Sequence, residues 1–314
     1  MADLSRILCP VDFSDNSQLA LDYALSLAAQ HSAAVSVMHV LPEVLADPDV
    51  YPYLSDPVLP SGETRERAFE QLGTFVHRAL QRKLSVDVVL EDGDIVDTVV
   101  AKVGKIPADL IVLGTHGRRG LARLLMGSVT ERVLRQATKP VLSVSPHAAA
   151  PPKNGIPFKN VLCPVDFSSS SLKAFDLALS LAGEEGTVTL LHVIEFYIDV
   201  AVGETVAFDL DDVRERHREQ AIENLERAKQ TQQAQQAQQG VPGDARARTK
   251  LETATLDSGA AYKEILRIAE RDDADVIVMG VMGRSAADLF FFGSTTNHIV
   301  RAAHCPVLTV RAEE

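Results

Sequence analysis

The sequence predicts an α/β protein built from two tandem copies of one domain, each a five-stranded parallel sheet flanked by helices. Three observations predict it. Segments recur in the same order along the chain. Within a copy, short apolar strands alternate with helical stretches. A Pro- and Ala-rich stretch without periodicity separates the copies. Ile7–Ser14 recurs as Val161–Ser168 at an offset of 154, and His39-Val40 recurs as His192-Val193 at 153. Ala108–Gly114 recurs as Ala274–Gly280, and Lys139–Val144 as Cys305–Val310, both at 166. The offset rises from 153 to 166, so the second copy carries a net insertion of 13 residues between its His-Val and Ala-Asp blocks. Such duplication decides the architecture. It predicts domains at 1–146 and 158–314, joined by a linker at 147–157.

The elements of the first copy follow in order. Residues 6–11 are a short apolar strand, and Leu19, Ala20, Tyr23, Ala24 and Leu27 mark a helix over 16–30. Strand 34–41 leads into a Pro-rich loop at 42–60 and a helix over about 62–82. Strand 85–90, helix 94–104, strand 109–113, a glycine-bearing loop, helix 128–137 and strand 140–144 complete it. Continuous apolar strands alternating with helices indicate a parallel sheet covered on both faces. Ligands of such sheets sit outside the carboxyl ends of the strands, where strand order reverses. Most of the extra length of the second copy lies at 209–243. Asp209–Lys229 is charged and helix-prone, and the Gln-rich run Thr231–Gln239 reads as a helix end fraying into a solvated loop, stopped by Gly240–Gly243. A partner-binding or aggregating segment is the other reading of that run.

Composition excludes several classes. The net charge of −12 makes broad binding of nucleic acid or anionic membrane unfavourable, because phosphate binding relies on clustered cations. No stretch approaches the ~18 apolar residues of a membrane helix. The N-terminus lacks a basic region followed by a long apolar run, so no secretory signal is expected. The three cysteines form no CxxC and are odd in number, which points away from a disulfide framework and toward a reducing cytoplasm.

The strongest functional signal is a duplicated glycine spacing. Gly114-Thr-His-Gly117 follows a strand, and Gly127-Ser128 comes after nine further residues at the start of a helix. Gly280-Val-Met-Gly283 and Gly293-Ser294 repeat the pattern. Glycines allow φ > 0 and close backbone approach, successive N–H groups form an anion nest, and a helix N-terminus adds free N–H groups and a positive dipole end. Ser128-Val-Thr-Glu131 matches a capping box, so the Ser128 hydroxyl has two possible roles, cap or phosphate contact. No Walker A loop is present, and the spacing differs from G-x-G-x-x-G.

Taken together, the Pro-Val-Asp-Phe-Ser strand end, the His-Val strand end, the G-x2-G-x9-G-S loop and the terminal Pro-Val-Leu strand resemble the universal stress protein family in its tandem form. The resemblance spans about 5–145 and 158–312. It implies Rossmann-like domains of the adenine nucleotide alpha hydrolase-like kind, and membership of the branch whose glycine loop holds ATP, with or without Mg²⁺. By that resemblance Pro10, Val11 and Asp12 line the adenosine end, with Val40 beside the base. Leu113 and Gly114 approach the ribose, while Gly117, Arg118, Gly127, Ser128, Val129 and Thr130 surround the phosphates. The matching second set is Pro164, Val165, Asp166, Val193, Met279, Gly280, Gly283, Arg284, Gly293, Ser294, Thr295 and Thr296. His116 becomes Met282 and Arg118-Arg119 becomes Arg284-Ser285, which implies a weaker second phosphate site.

Asp12 and Asp166 fit two roles, ligand contact or helix capping, and Ser14 and Ser168 compete for the cap. The symmetric Cys9, Cys163, His39 and His192 lie within or at the end of apolar strands and read as core rather than metal ligands. The functional expectation is an ATP-binding regulator in stress adaptation. A slow ATP hydrolase and an interaction protein with vestigial sites are the alternatives. No catalytic residue is assigned. The resemblance also implies that strands 140–144 and 306–310 pair across a domain interface, giving an intramolecular pseudo-dimer with further dimerisation open.

Overall fold

A computed structural model describes residues 4–42, 61–80, 84–117, 126–152, 157–195, 210–238, 247–256, 260–281 and 293–311. The chain divides into two compact units, Ala2–Pro157 and Phe158–Glu314.

The first unit runs β1 (Arg6–Pro10), α1 (Asp15–His31), β2 (Ala34–Leu41), α2 (Gly62–Leu80), β3 (Val86–Asp92), α3 (Ile95–Lys105), β4 (Leu110–Gly114), α4 (Ser128–Gln136) and β5 (Val141–Val144). Its strands pair in parallel in the order β3-β2-β1-β4-β5. The second unit runs β6 (Asn160–Pro164), α5 (Ser169–Ala182), β7 (Thr187–Glu195), α6 (Leu210–Gln238), β8 (Arg248–Leu256), α7 (Ala261–Arg271), β9 (Val276–Gly280), α8 (Ser294–Ala302) and β10 (Val307–Val310). Its parallel order is β8-β7-β6-β9-β10. The sheets are parallel because each strand returns through a helix. The central strands are buried on both faces, as their unbroken apolar runs require: Ile7, Leu8, Ile111 and Val112 in the first unit, Leu190, Ile277 and Val278 in the second.

Side chains at the strand starts fix the register. The Asp109 carboxylate accepts from Ser5 N–H at 2.9 Å, the Ser5 hydroxyl at 2.8 Å and Arg6 N–H at 3.1 Å, tying the start of β4 to the start of β1. Asp275 does the same for β6, accepting from Lys159 and Asn160 N–H at 2.8 and 2.7 Å. The duplicated Ala-Asp block is therefore a clamp between neighbouring strands.

The Gln-rich run departs from expectation. It does not fray: α6 continues unbroken to Gln238, 29 residues against 19 in α2. Gln and Ala are good helix formers, and the chain reaches no glycine or proline before Gly240. Buried Ala221, Leu225 and Gln232, spaced four and seven apart, anchor one face of the helix. Gln239 and Gly240–Gly243 lie outside the described residues, as does 153–156 of the linker.

Candidate functional site

In each unit the strand order reverses between the first and fourth strands, β1 and β4 or β6 and β9. The carboxyl ends of those strands carry the sequence-predicted residues.

At the tip of β1, Asp12 braces the start of α1. Its Oδ1 accepts from Ser14 N–H at 3.1 Å, the Ser14 hydroxyl at 2.6 Å and the Ser17 hydroxyl. Its own N–H donates to Ser17 Oγ at 3.1 Å. Ser14 is the N-cap, accepting from Ser17 N–H. The competition between Asp12 and Ser14 thus resolves into a cap and its brace. Asp166 repeats this with Ser168 at 3.0 and 2.6 Å, and Ser168 caps α5. Burial pushes the Asp166 carboxyl up, but the hydrogen bonds from Ser168 and Ser171 outweigh it and hold the group below its ordinary value. Between Asp and Ser, Phe13 and Phe167 both adopt left-handed backbone at φ 64°. A bulky residue there is strained, and the duplicated strain lies at the tip of each first strand.

The glycines act differently from expectation. Gly114, Gly117, Gly127, Gly280 and Gly293 do not adopt positive φ. They are closely packed. A Cβ on Gly114 would lie 2.6 Å from Asn16 Nδ2, and one on Gly280 would lie 2.6 Å from Ser170 Oγ. These contacts bring the fourth strand against the first helix. A Cβ on Gly117 would lie 2.6 Å from Asp12 Oδ2, so the glycine loop reaches the Asp12 carboxylate. Gly127 donates its N–H to the Thr115 carbonyl at 2.8 Å, closing the loop. Asn16 completes it, its Nδ2 donating to the His116 carbonyl at 3.2 Å. Arg118, Gly283 and Arg284 lie outside the described residues.

Gly127, not Ser128, is the N-cap of α4, with no side-chain cap bond, so the capping box is not formed. Glu131 instead pairs with Arg135 at 2.9 Å. The first intrahelical bond runs from Glu131 N–H to the Gly127 carbonyl at 3.0 Å, leaving Ser128, Val129 and Thr130 N–H without an intrahelical acceptor. In α8 the same bond runs from Asn297 to Gly293 at 3.0 Å, leaving Ser294, Thr295 and Thr296 N–H. The Ser128 and Ser294 side chains are exposed. Thr130 and Thr296 are buried, and their hydroxyls donate to the Gly114 and Gly280 carbonyls at 2.9 and 3.4 Å, so only their N–H groups are available to an anion.

Val11, Val40, Leu113, Val165 and Met279 are buried behind the strand tips, as is Pro164; Pro10 and Val193 are half-buried. Cys9 and Cys163 are fully buried, and burial raises their thiol pKa well above the ordinary value. His116 Nδ1 lies 2.9 Å from Thr115 Oγ1, while its Nε2 is buried without a hydrogen-bond partner. Burial, and next the charge of His147, lower the His116 pKa, which favours the neutral ring. One cavity of about 210 Å³ opens elsewhere, at the amino ends of β6 and β7 beside Thr187, Thr189 and Lys250, away from the glycine loop. Phe13 and Asn16 were not singled out by sequence reasoning. The repeated Asp-Phe-Ser was a signal for Phe13, whereas Asn16 becomes Ser170 and left none.

The family model described as the universal stress protein family matches residues 4–145 and 157–311. A universal stress protein of Mycolicibacterium smegmatis is 27% identical over 308 residues, covering 97% of this chain and 96% of that protein. One of Methanocaldococcus jannaschii is 33% identical over 144 residues, covering 44% of this chain and 81% of that protein. The crystal structure of a universal stress protein from Archaeoglobus fulgidus has the same fold, with a TM-score of 0.65 at 22% identity and 98% of each chain covered.

Proposed function

The chain belongs to the universal stress protein family, and on that premise we propose that each half binds ATP, with or without Mg²⁺, and that the protein is a nucleotide-dependent regulator in stress adaptation. The observation that carries this reading is the duplicated bare helix start. Ser128–Thr130 and Ser294–Thr296 offer N–H groups without intrahelical acceptors. Each set follows a glycine whose N–H donates to the residue just after the fourth strand, Gly127 to the Thr115 carbonyl at 2.8 Å and Gly293 to the Val281 carbonyl at 3.4 Å. Donors and a positive dipole end at that place suit a phosphate chain. The first site comprises Asp12, Val40, Gly114, Gly117, Gly127 and Ser128, and the second Asp166, Val193, Gly280, Gly293 and Ser294, with Arg118, Gly283 and Arg284 added from the loops. An acidic chain is compatible with this, because the anion is held by backbone N–H groups rather than a cationic surface.

Among the described residues, no helix is long and apolar enough to cross a membrane. Purified full-length protein, denatured and chromatographed, is expected to release adenine nucleotide, and calorimetry of stripped protein should give two ATP per chain. Protein that carries none and binds none overturns the reading. A slow ATP hydrolase is the second reading, favoured by the His116 ring, whose Nε2 is buried without a hydrogen-bond partner and whose pKa burial lowers. Phosphate release that vanishes in His116→Ala would establish it. The two halves are proposed to act as an intramolecular pseudo-dimer, so the expected solution mass is near 34.0 kDa. Twice that mass would indicate a homodimer.

A further inference from the structure

The second strand of each unit ends in a hydrogen-bond arrangement that the nucleotide reading does not explain. In a parallel ladder, alternate residues of a strand bond to opposite neighbours. On β2 the odd positions face β3: Val35 N–H donates to the Ser85 carbonyl at 2.8 Å, and the Leu41 carbonyl accepts from Gly93 N–H at 3.0 Å. The even positions face β1: Ala34 N–H donates to the Ser5 carbonyl, and the Met38 carbonyl accepts from Val11 N–H, both at 2.8 Å. The next rung would join Val40 N–H to the Val11 carbonyl. That rung is not formed, and the Val11 carbonyl instead lies 2.7 Å from Nδ1 of His39. A carbonyl only accepts, so Nδ1 carries the proton.

The second unit repeats each part. Val165 N–H donates to the Leu191 carbonyl at 2.8 Å, and the Val165 carbonyl meets His192 Nδ1 at 2.7 Å. Val193, in register beyond it, faces past the end of β6. In both units the imidazole is held against the left-handed Phe: Phe13 and His39 ring centroids are 4.3 Å apart, Phe167 and His192 4.7 Å, with interplanar angles of 40° and 42°.

We propose that His39 and His192 are positioning residues that capture the Val11 and Val165 carbonyls, and so keep the Val40 and Val193 peptide groups unpaired for the edge of a nucleotide base. Each freed peptide offers one donor and one acceptor side by side. That is the complement of an adenine edge, where an amine donor adjoins a ring-nitrogen acceptor. This rests on the nucleotide reading for its ligand, and stands without it for the ladder. The left-handed Phe turns the chain away after Asp12 and supplies the surface against which the ring is fixed. Sequence position alone suggested core packing for these histidines. The ring is indeed packed, and it also directs a backbone carbonyl.

The experiment is amide hydrogen exchange by NMR on the full chain, with His39→Leu and His39→Asn beside the wild type. Without the imidazole, the Val11 carbonyl is free to accept from Val40 N–H and add the missing rung. Val40 exchange should therefore slow by about tenfold in His39→Leu, whereas a merely structural loss would hasten it. ATP affinity should fall by about tenfold in the same variant. Asparagine, which can donate from Nδ2, should restore both. Val193 should respond to His192→Leu in the same way. Nitrogen shifts of wild-type His39 should report the Nδ1–H neutral form, a readout that needs no variant to fold. Val40 exchange that is unchanged or faster in His39→Leu, or an unprotonated Nδ1 in the wild type, overturns the inference. Wild-type protein that binds no ATP while showing the exchange change overturns the nucleotide reading and leaves the ladder mechanism standing.

Discussion

The two halves differ where helices and strand starts meet water, and agree where strands end. In the first half, Arg132 of α4 pairs with Asp94 and Asp97 at 3.4 and 3.6 Å. In the second, a ring stack of Tyr262 on His298 at 4.3 Å joins α7 and α8. The Arg6 guanidinium is fixed by Ser36 at 2.9 Å and by Asp87. Asn160, Thr189 and Lys250 stand at the matching positions, a cavity opens there, and Lys250 pairs with Glu252 and Asp272 at 3.0 and 3.4 Å. Exposed ion pairs contribute little, so one arrangement is readily traded for another. The strand tips keep the same bonds: the Asp–Ser brace, the His–carbonyl contact, the left-handed Phe and the bare helix start. Partly buried polar groups of that kind are costly to leave unpaired, which restricts the solutions.

The strongest way to break this parity is at the strand-tip glycines. A Cβ on Gly280 would lie 2.8 Å from backbone atoms of both Ser170 and Ser171, which cannot swing aside. On Gly114 the nearest backbone atom is 3.1 Å away, and the closest contact is the Asn16 side-chain amide at 2.6 Å. Gly280→Ala should cost about 3 kcal/mol and Gly114→Ala about 1 to 2 kcal/mol, as overpacking does. Urea unfolding followed by circular dichroism checks this, and equal costs would mean that the two helix–strand contacts are interchangeable.

The helix caps test the agreement from the other side. Ser14→Ala and Ser168→Ala each remove an N-cap and a donor to the neighbouring carboxylate. Each should cost about 1 to 2 kcal/mol. A difference beyond about 1 kcal/mol, on the scale of a single hydrogen bond, would show that the tips are alike in geometry but not in energetics.

Much of this was legible in the sequence. Alternating apolar strands and helices gave the parallel sheets, because burial on both faces demands unbroken apolar runs. The repeat placed Asp12 and Asp166, Gly114 and Gly280, and the helix starts at Ser128 and Ser294 at corresponding positions. What stayed hidden depends on three-dimensional neighbours. Nothing local marks Phe13 as left-handed, since that conformation usually advertises itself with Gly or Asn. The spacing of Gly114 points to a ligand, and says nothing of its closest neighbour, the Asn16 side-chain amide, nearly a hundred residues earlier in the chain. The low-complexity composition of the Gln run suggests a helix end fraying into a loop, although its helix propensity is good and Gln232 is buried.

A smaller effect of opposite sign comes from a helix end at which the halves differ. α1 ends at Ser32 in left-handed backbone, φ 55° and ψ 32°, whereas α5 ends at Gly183 in a different conformation, φ 61° and ψ −162°. Ser32 carries a Cβ in a conformation that glycine adopts freely. Ser32→Gly should therefore stabilise the first half by about 0.5 to 1 kcal/mol, once the added freedom of the unfolded chain is set against relieved strain. A loss of stability would show that the serine makes a compensating contribution.

The weakest expected effect is the acid response of the second tip. The folded pKa of Asp166 lies below its ordinary value of 3.8, because donors from Ser168 and Ser171 outweigh the effect of burial. The unfolded chain therefore binds a proton more readily than the folded one. The stability this supplies is present in full above the unfolded value and is lost as pH falls through the lower folded value. The loss should begin below about pH 4 and be absent from Asp166→Asn. Carboxyl carbon shifts followed by NMR should place the Asp166 midpoint below 3.8 in the wild type and return it toward 3.8 in Ser168→Ala. Ser14→Ala, in the other half, should leave it unmoved. A midpoint that Ser168→Ala does not raise would assign the depressed acidity to some group other than the cap, and would separate the two tips at the point where they look most alike.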